Sequence, residues 1–364
     1  MPDEQPFIEP MVPISGRLLS VPPGPFLHVQ RADAADYKIG EFRAWAGYKN
    51  LGADAPTEGL AHFQHVLSFA GTKAAGRTGI HAHLAHAHIV IPTSGRGVFS
   101  YDGVVTEAAP GAVIVQHAGT VHDQFLYSHS GASEADNRRT RQAVEPPPPG
   151  APVQSFSFLE LFVPRSFANV EIVPPGAVTP ADQATAWDHP YHRPGADFFL
   201  QRADAPDAAY RPVAGQPELE MRDAGTWGPS DGLVATWIIR PASAASPADG
   251  VSIRPTIAGE AGGVEIFYMV NGSGRFRTAQ GDDLHLGEGD TSTHSQDLVA
   301  GPFECSPDMR LLRFLIAAKC QTLRERTPDE IARIEAMGPR IIRRRELRAE
   351  GDLRPVNGLR NVTG

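Results

Sequence analysis

Four histidines crowd the stretch HAHLAHAH, at positions 81, 83, 86 and 88. Neutral imidazole is the commonest side-chain ligand for iron, manganese, nickel, copper and zinc, so this density points first to a metal. In a strand, His81 and His83 stand two apart and share a face, the minimum geometry for two ligands on one ion. His86 and His88 form a second such pair. One straight strand cannot aim both pairs at one ion, so a bend is expected at Leu84 and Ala85.

The elements that must hold these residues are short. The runs HFQHVLSF (62–69), HIVI (88–91), AVIVQ (112–116) and FSFLELFV (156–163) are of strand length and rich in Val, Ile and Phe. LVATWIIR (233–240), VEIFYMV (264–270) and MRLLRFLIA (309–317) continue the style in the second half. Short strands at this spacing, bounded by turn residues, read as all-β barrels or sandwiches. The halves also align. TSGRGVF (93–99) lies over VNGSGRF (270–276) at an offset of 177 residues, and the same offset sets HIVI on EIFY. A repeat of domain size follows.

These patterns divide the chain into an N-terminal arm (1–60), a first domain (61–165), a linker (166–225), a second domain (226–318) and a tail (319–364). The charged, then proline-rich segment 130–152 reads as an exposed insertion in the first domain. In the tail, Thr327 as N-cap, Pro328 at N1 and Glu330 at N3 make a capping box, so a C-terminal helix is expected.

Composition narrows the setting. Of 364 residues, 41% are hydrophobic and 21% charged, as in an ordinary globular chain. A formal net charge of -9 gives no reason to approach nucleic acid or an anionic membrane. No apolar run approaches the ~20 residues needed to span a bilayer. Cys305 and Cys320 are the two cysteines, too few for a disulfide framework, and the acidic N-terminus lacks the form of a signal peptide. A cytoplasmic protein is expected.

The histidine stretch then resembles the first motif of the cupin superfamily, an HxH pair followed after three or four residues by Glu and, after six intervening residues, by Gly. Counting back from Gly95 sets the pair on His81 and His83 and the glutamate position on His88. The second cupin motif resembles PGAVIVQHAGTVH (110–122), with Gly111, His117 in place of a proline, Gly119, and His122 at the ligand position. The resemblance implies two tandem cupin barrels of the double-stranded β-helix or jelly-roll type, with short helices. It implies a metal on His81, His83 and His122, and it leaves open whether His88 joins them. The second domain looks degenerate. Glu265 matches the motif glutamate, but Ala258 and Glu260 fall where the HxH pair belongs, and the second-motif histidine position falls near Ala300.

A bicupin with one all-histidine site resembles the gentisate 1,2-dioxygenase group of ring-cleaving enzymes. That resemblance implies Fe(II), with Mn, Ni or Zn as alternatives, and a hydroxy-aromatic acid of gentisate or salicylate type opened with O₂. It also implies a homo-oligomer, a dimer or tetramer. Such a substrate needs a cation for its carboxylate, and Arg43, Arg77 and Arg96 are the candidates. Gln64, His65, Asp123 and Gln124 are candidates to touch substrate or orient the ligands. Trp45, Phe63, Phe125 and Tyr127 are candidates for an aromatic wall. Two other readings stay open: a metal-dependent isomerase or lyase of a small polar metabolite, and a non-catalytic bicupin that only binds its ligand.

Overall fold

The computed structural model describes residues 21–39, 46–68, 80–83, 85–95, 97–101, 104–117, 120–125, 156–163, 169–173, 198–205, 208–230, 232–242 and 262–317. Strands β1 (Leu27–Gln30), β2 (Lys38–Ile39), β3 (Ala46–Asn50), β4 (His62–Ser68), β5 (Ile80–His83) and β6 (Ala87–Ser94) come first. They are followed by β7 (Gly97–Tyr101), β8 (Val104–Ala108), β9 (Val113–His117), β10 (Val121–Phe125), β11 (Phe156–Val163) and β12 (Asn169–Val173). The second half supplies β13 (Phe198–Gln201), β14 (Arg211–Val213), β15 (Gln216–Asp223), β16 (Val234–Pro241) and β17 (Val264–Asn271). It ends with β18 (Ser273–Thr278), β19 (Asp283–Gly287), β20 (Thr291–Ser295), β21 (Val299–Cys305) and β22 (Arg310–Ile316).

The described residues are all-β and form two tandem jelly-roll barrels. No α-helix occurs among the described residues, so the expected short helices are not found there. The expected C-terminal helix and the 130–152 insertion lie outside the described residues. No helix among the described residues is long and apolar enough to cross a membrane.

Each barrel sets a seven-stranded sheet against a smaller one. The first has the orders β13-β9-β6-β11-β4-β3-β2 and β12-β5-β10-β7-β8; the second has β1-β20-β17-β22-β16-β15-β14 and β19-β18-β21. The large sheets correspond strand for strand, with β6 matching β17 and β11 matching β22. Gly95 (φ 66°) and Gly272 (φ 68°) turn the equivalent hairpins in the left-handed region that favours glycine. The barrels exchange edge strands. β1 precedes the first barrel in sequence and pairs with β20 of the second, while β13 precedes the second and pairs with β9 of the first.

The expected bend at residues 84–85 is where the chain leaves the five-stranded sheet at β5 and enters the seven-stranded sheet at β6. Period-2 alternation then splits each strand of the large sheets. Phe63, Ile89, Ile91, Leu159 and Leu161 face outward and join Val264, Ile266 and Phe314 in one apolar layer between the barrels. Phe63 packs edge-on to Phe314 and Tyr268, at ring separations of 5.3 and 5.7 Å. Its place is this layer and not an aromatic wall of the histidine site. Arg222, buried on β15, also ties the barrels by donating to the Gly111 carbonyl.

Because Phe63 fills the shared layer, Phe63→Ala should cost about 3–5 kcal/mol, read as a lowered urea midpoint.

Candidate metal centre

The inner face of the first barrel is where the polar residues gather. β5 directs His81 and His83 to one side, and β10 pairs antiparallel with β5 so that His122 sits opposite His81. The three rings lie 4.2–5.0 Å apart by centroid, and one ring nitrogen from each lies within 4.8 Å of the others. All three are buried, at 5%, 7% and 5% exposure. His122 Nδ1 donates to the Thr120 carbonyl at 2.9 Å, which leaves Nε2 as the lone-pair nitrogen. Burial, then the neighbouring His81, holds the His122 pKa well below its ordinary value, so the ring stays in the neutral form that binds metals.

These side chains fit a metal ion. Metal–nitrogen bonds of about 2.1 Å set adjacent ligand atoms about 3 Å apart, so the rings need only side-chain adjustment to close on one ion. Polar atoms beside them also lack partners. His88 Nδ1, the Tyr101 hydroxyl and Gln116 Oε1 are buried with no hydrogen-bond partner among the described residues. Tyr101 stacks at 5.9 Å on His122. Burial, and next the charge of Glu160, push its pKa well above the ordinary value, so its hydroxyl remains a donor.

His88 borders the triad on the His83 side. Its ring centroid lies 4.9 Å from His83 and 6.4 Å from His122, and it stacks on Phe162 at 4.0 Å. Its Nε2 meets Glu160 Oε1 at 3.2 Å. From there a hydrogen-bonded chain runs along the inner face. Gln64 Nε2 donates to Glu160 Oε2 at 2.7 Å, His62 Nε2 meets Gln64 Oε1 at 3.0 Å, and His62 Nδ1 meets Asp54 at 2.9 and 3.0 Å. A carboxylate only accepts, so Gln64 must turn its amide nitrogen to Glu160 and its oxygen to His62. His62 then donates through both nitrogens, as an imidazolium. Burial opposes that charge, yet Asp54, with Gln64 and Glu160, raises the His62 pKa.

Of the other expected contacts, Gln64 is on the inner face, as this chain shows. His65 points the opposite way. Its Nδ1 meets the Tyr37 hydroxyl at 2.8 Å and its Nε2 meets Thr93 at 3.2 Å, on the side of β4 that faces away from the triad. Asp123 follows His122 in β10, paired with Ser100. Arg43, Trp45, Arg77, Arg96 and Tyr127 lie outside the described residues. His86 is buried. Sequence reasoning missed Glu160, His62, Asp54, Tyr101 and Gln116. One signal was present: Glu160 is the lone charge in FSFLELFV, in step with Phe158 and Phe162.

The second barrel fills the equivalent place differently. His88 pairs with Phe162 and Gln116, whereas Glu265 pairs with Leu315 and His294. Two residues before each β11 or β22 partner stand Glu160 and Arg313. Arg313 donates to Glu265 Oε1 through Nε at 3.1 Å and through a second nitrogen, and its guanidinium lies 5.5 Å from Trp237 and 5.7 Å from Phe267. His294, which seemed out of register, is buried with Nδ1 3.8 Å from Glu265. Val299 faces Thr278 as His122 faces Tyr101, so the ligand position falls on Val299, one residue before Ala300. Ala258 and Glu260 lie outside the described residues.

Neither a protein-family model nor a curated protein sequence matches the chain. Among solved structures, the 7S globulin of Momordica charantia aligns at 12% identity over 79% of this chain and 83% of its own, with a TM-score of 0.44. The vicilin of Corylus avellana (hazelnut) aligns at 8% identity over 80% and 86%, with a TM-score of 0.47. The oxalate decarboxylase of Bacillus subtilis aligns at 11% identity over 79% and 75%, with a TM-score of 0.41. All three scores fall below 0.5, so the architecture rests on the strand order of this chain.

Arg313→Ala would strand the buried Glu265 carboxylate and should cost about 3–5 kcal/mol. Removing both charges together, Glu265→Leu with Arg313→Met, should be near neutral in the same urea measurement. His65 carries a pH signature. Burial, then Lys49, lowers its pKa from 6.5 to about 4, so below pH 6.5 the unfolded state binds the proton first. Stability should therefore fall by on the order of 2–3 kcal/mol as pH drops through that window. His65→Asn should flatten the slope.

Proposed function

We propose that this chain is an Fe(II)-dependent dioxygenase that cleaves the ring of a hydroxy-aromatic acid of gentisate or salicylate type, with His81, His83 and His122 as the metal ligands. The observation that carries the reading is the buried triad, in which His122 is held neutral and turned by the Thr120 carbonyl. Three neutral ligands leave a divalent ion its full charge and about three open positions, enough for a substrate chelating through two oxygens with O₂ beside it. Bound Fe(II) would hold substrate and O₂ side by side and relay to O₂ the electrons that the aromatic ring, the net reductant, gives up. Around it, Phe162 and Tyr101 wall the site and exclude water, and the Tyr101 hydroxyl donates to an oxygen of the bound acid. Arg77 and Arg96 remain the proposed partners of the substrate carboxylate. The second barrel, with Arg313 on Glu265 and Val299 at the ligand position, is proposed to hold no metal. A homo-oligomer, a dimer or tetramer, belongs to the same proposal and is read by light scattering.

Glu160 favours a second reading. A carboxylate hydrogen-bonded to His88 beside the triad suits proton transfer, as a metal-dependent isomerase or lyase would need. Oxygen separates the two readings.

Purified protein should carry about one iron per chain, and His83→Ala should lose it. With Fe(II) restored under reducing conditions, oxygen uptake is expected with at least one of salicylate, gentisate and catechol. Silence across that panel would overturn the ring-cleavage reading, and turnover without oxygen would support the second.

A further inference from the structure

The atom that the hydrogen bonds leave over at His88 bears on how the site receives its substrate. Glu160, as a carboxylate, accepts from Gln64 at one oxygen and from the His88 ring at the other, so the His88 hydrogen sits on Nε2. Nδ1 is then the nitrogen turned elsewhere, buried, with no hydrogen-bond partner among the described residues. Phe162, stacked on the ring at 4.0 Å and 13°, holds its plane.

We propose that His88 stays outside the metal's ligand set and is instead a substrate-facing residue, positioned by Glu160 so that Nδ1 meets the molecule bound at the triad. This rests on the metal reading above and deepens it. Asp54, His62 and Gln64 are the frame behind Glu160. The imidazolium of His62 is anchored on Asp54 and fixes the amide of Gln64, and the amide fixes one carboxylate oxygen. The other oxygen is thereby aimed at His88. Gln116 Oε1, also buried without a hydrogen-bond partner among the described residues, lies on the strand next to His88 and is a second acceptor available to the bound molecule. The chemistry they recognise is a hydroxyl or amine hydrogen on the substrate, separate from the oxygens that chelate the metal.

The test uses the full chain with ¹⁵N-labelled histidine and zinc as the probe metal. Nitrogen NMR distinguishes metal-bound, protonated and bare imidazole nitrogens without any activity. Zinc should move one nitrogen on each of His81, His83 and His122 and leave both His88 nitrogens in their metal-free classes. His88→Gln should keep zinc affinity within a few-fold, well short of the roughly 10- to 100-fold lost when even an outer partner of a ligand is removed. Glu160→Gln should move the His88 hydrogen from Nε2 to Nδ1, because an amide can donate where a carboxylate cannot, and Glu160→Asp should restore the native pattern. A metal-bound His88 nitrogen, a tenfold or greater loss of zinc in His88→Gln, or an unchanged His88 pattern in Glu160→Gln would each overturn the proposal. If the native chain takes up no zinc, the metal reading fails. The Glu160→Gln comparison on the metal-free chain then still decides whether Glu160 positions His88.

Discussion

The apolar layer between the two seven-stranded sheets is the constraint on which the rest depends. It buries the outer faces of β4, β6, β11, β17 and β22 against one another through Phe63, Ile89, Leu161, Ile266 and Phe314. Once those residues face outward, alternation sends His62, Gln64, His88 and Glu160 inward. A slip of one residue would exchange the two sets and bury charges in the shared layer, so the register is strongly specified. The edge exchange of β1 and β13 adds backbone hydrogen bonds between the segments that precede each barrel and the sheet of the other.

Inside the first barrel, polar groups cut off from water must satisfy one another. Asp54, His62, Gln64, Glu160 and His88 do so in one chain. Beside it lies the triad, where His122 turns a bare nitrogen away from Thr120. The second barrel holds a polar pair at the matching backbone positions with the charges allotted differently. A histidine facing a glutamate in one becomes a glutamate facing an arginine in the other. Arg313 supplies a cation from within the chain where the first barrel presents lone pairs, and Val299 removes a ligand as well. One scaffold thus carries an open polar site and an internally neutralised one.

Much of this was legible in the residues alone. Val, Ile and Phe runs of strand length, glycines at matching hairpins and the 177-residue offset announced paired β-barrels, because those features are local or repeat along the chain. His81 and His83 declared a shared face through their spacing, and His122 was found through its resemblance to a known motif. The frame around them was not legible. Glu160 lies 72 residues from His88 and 96 from Gln64, and only strand pairing brings them together. His65 looked like a site residue because its strand enters the site, and Phe63 because an aromatic could wall the pocket. The pleat of β4 sends both to the opposite face.

The sequence by itself determined the β class, the twofold repeat and the shared face of His81 and His83, since each follows from periodicity or short-range spacing, whereas His122 came only from the resemblance to a motif. The tertiary structure alone decided that His88 meets a carboxylate, that His62 lies between Asp54 and Gln64, and that Arg313 pairs with Glu265. Those outcomes depend on which residues face each other across neighbouring strands inside a water-excluded barrel. That relation is a property of the packed sheets and is absent from any single stretch of the chain.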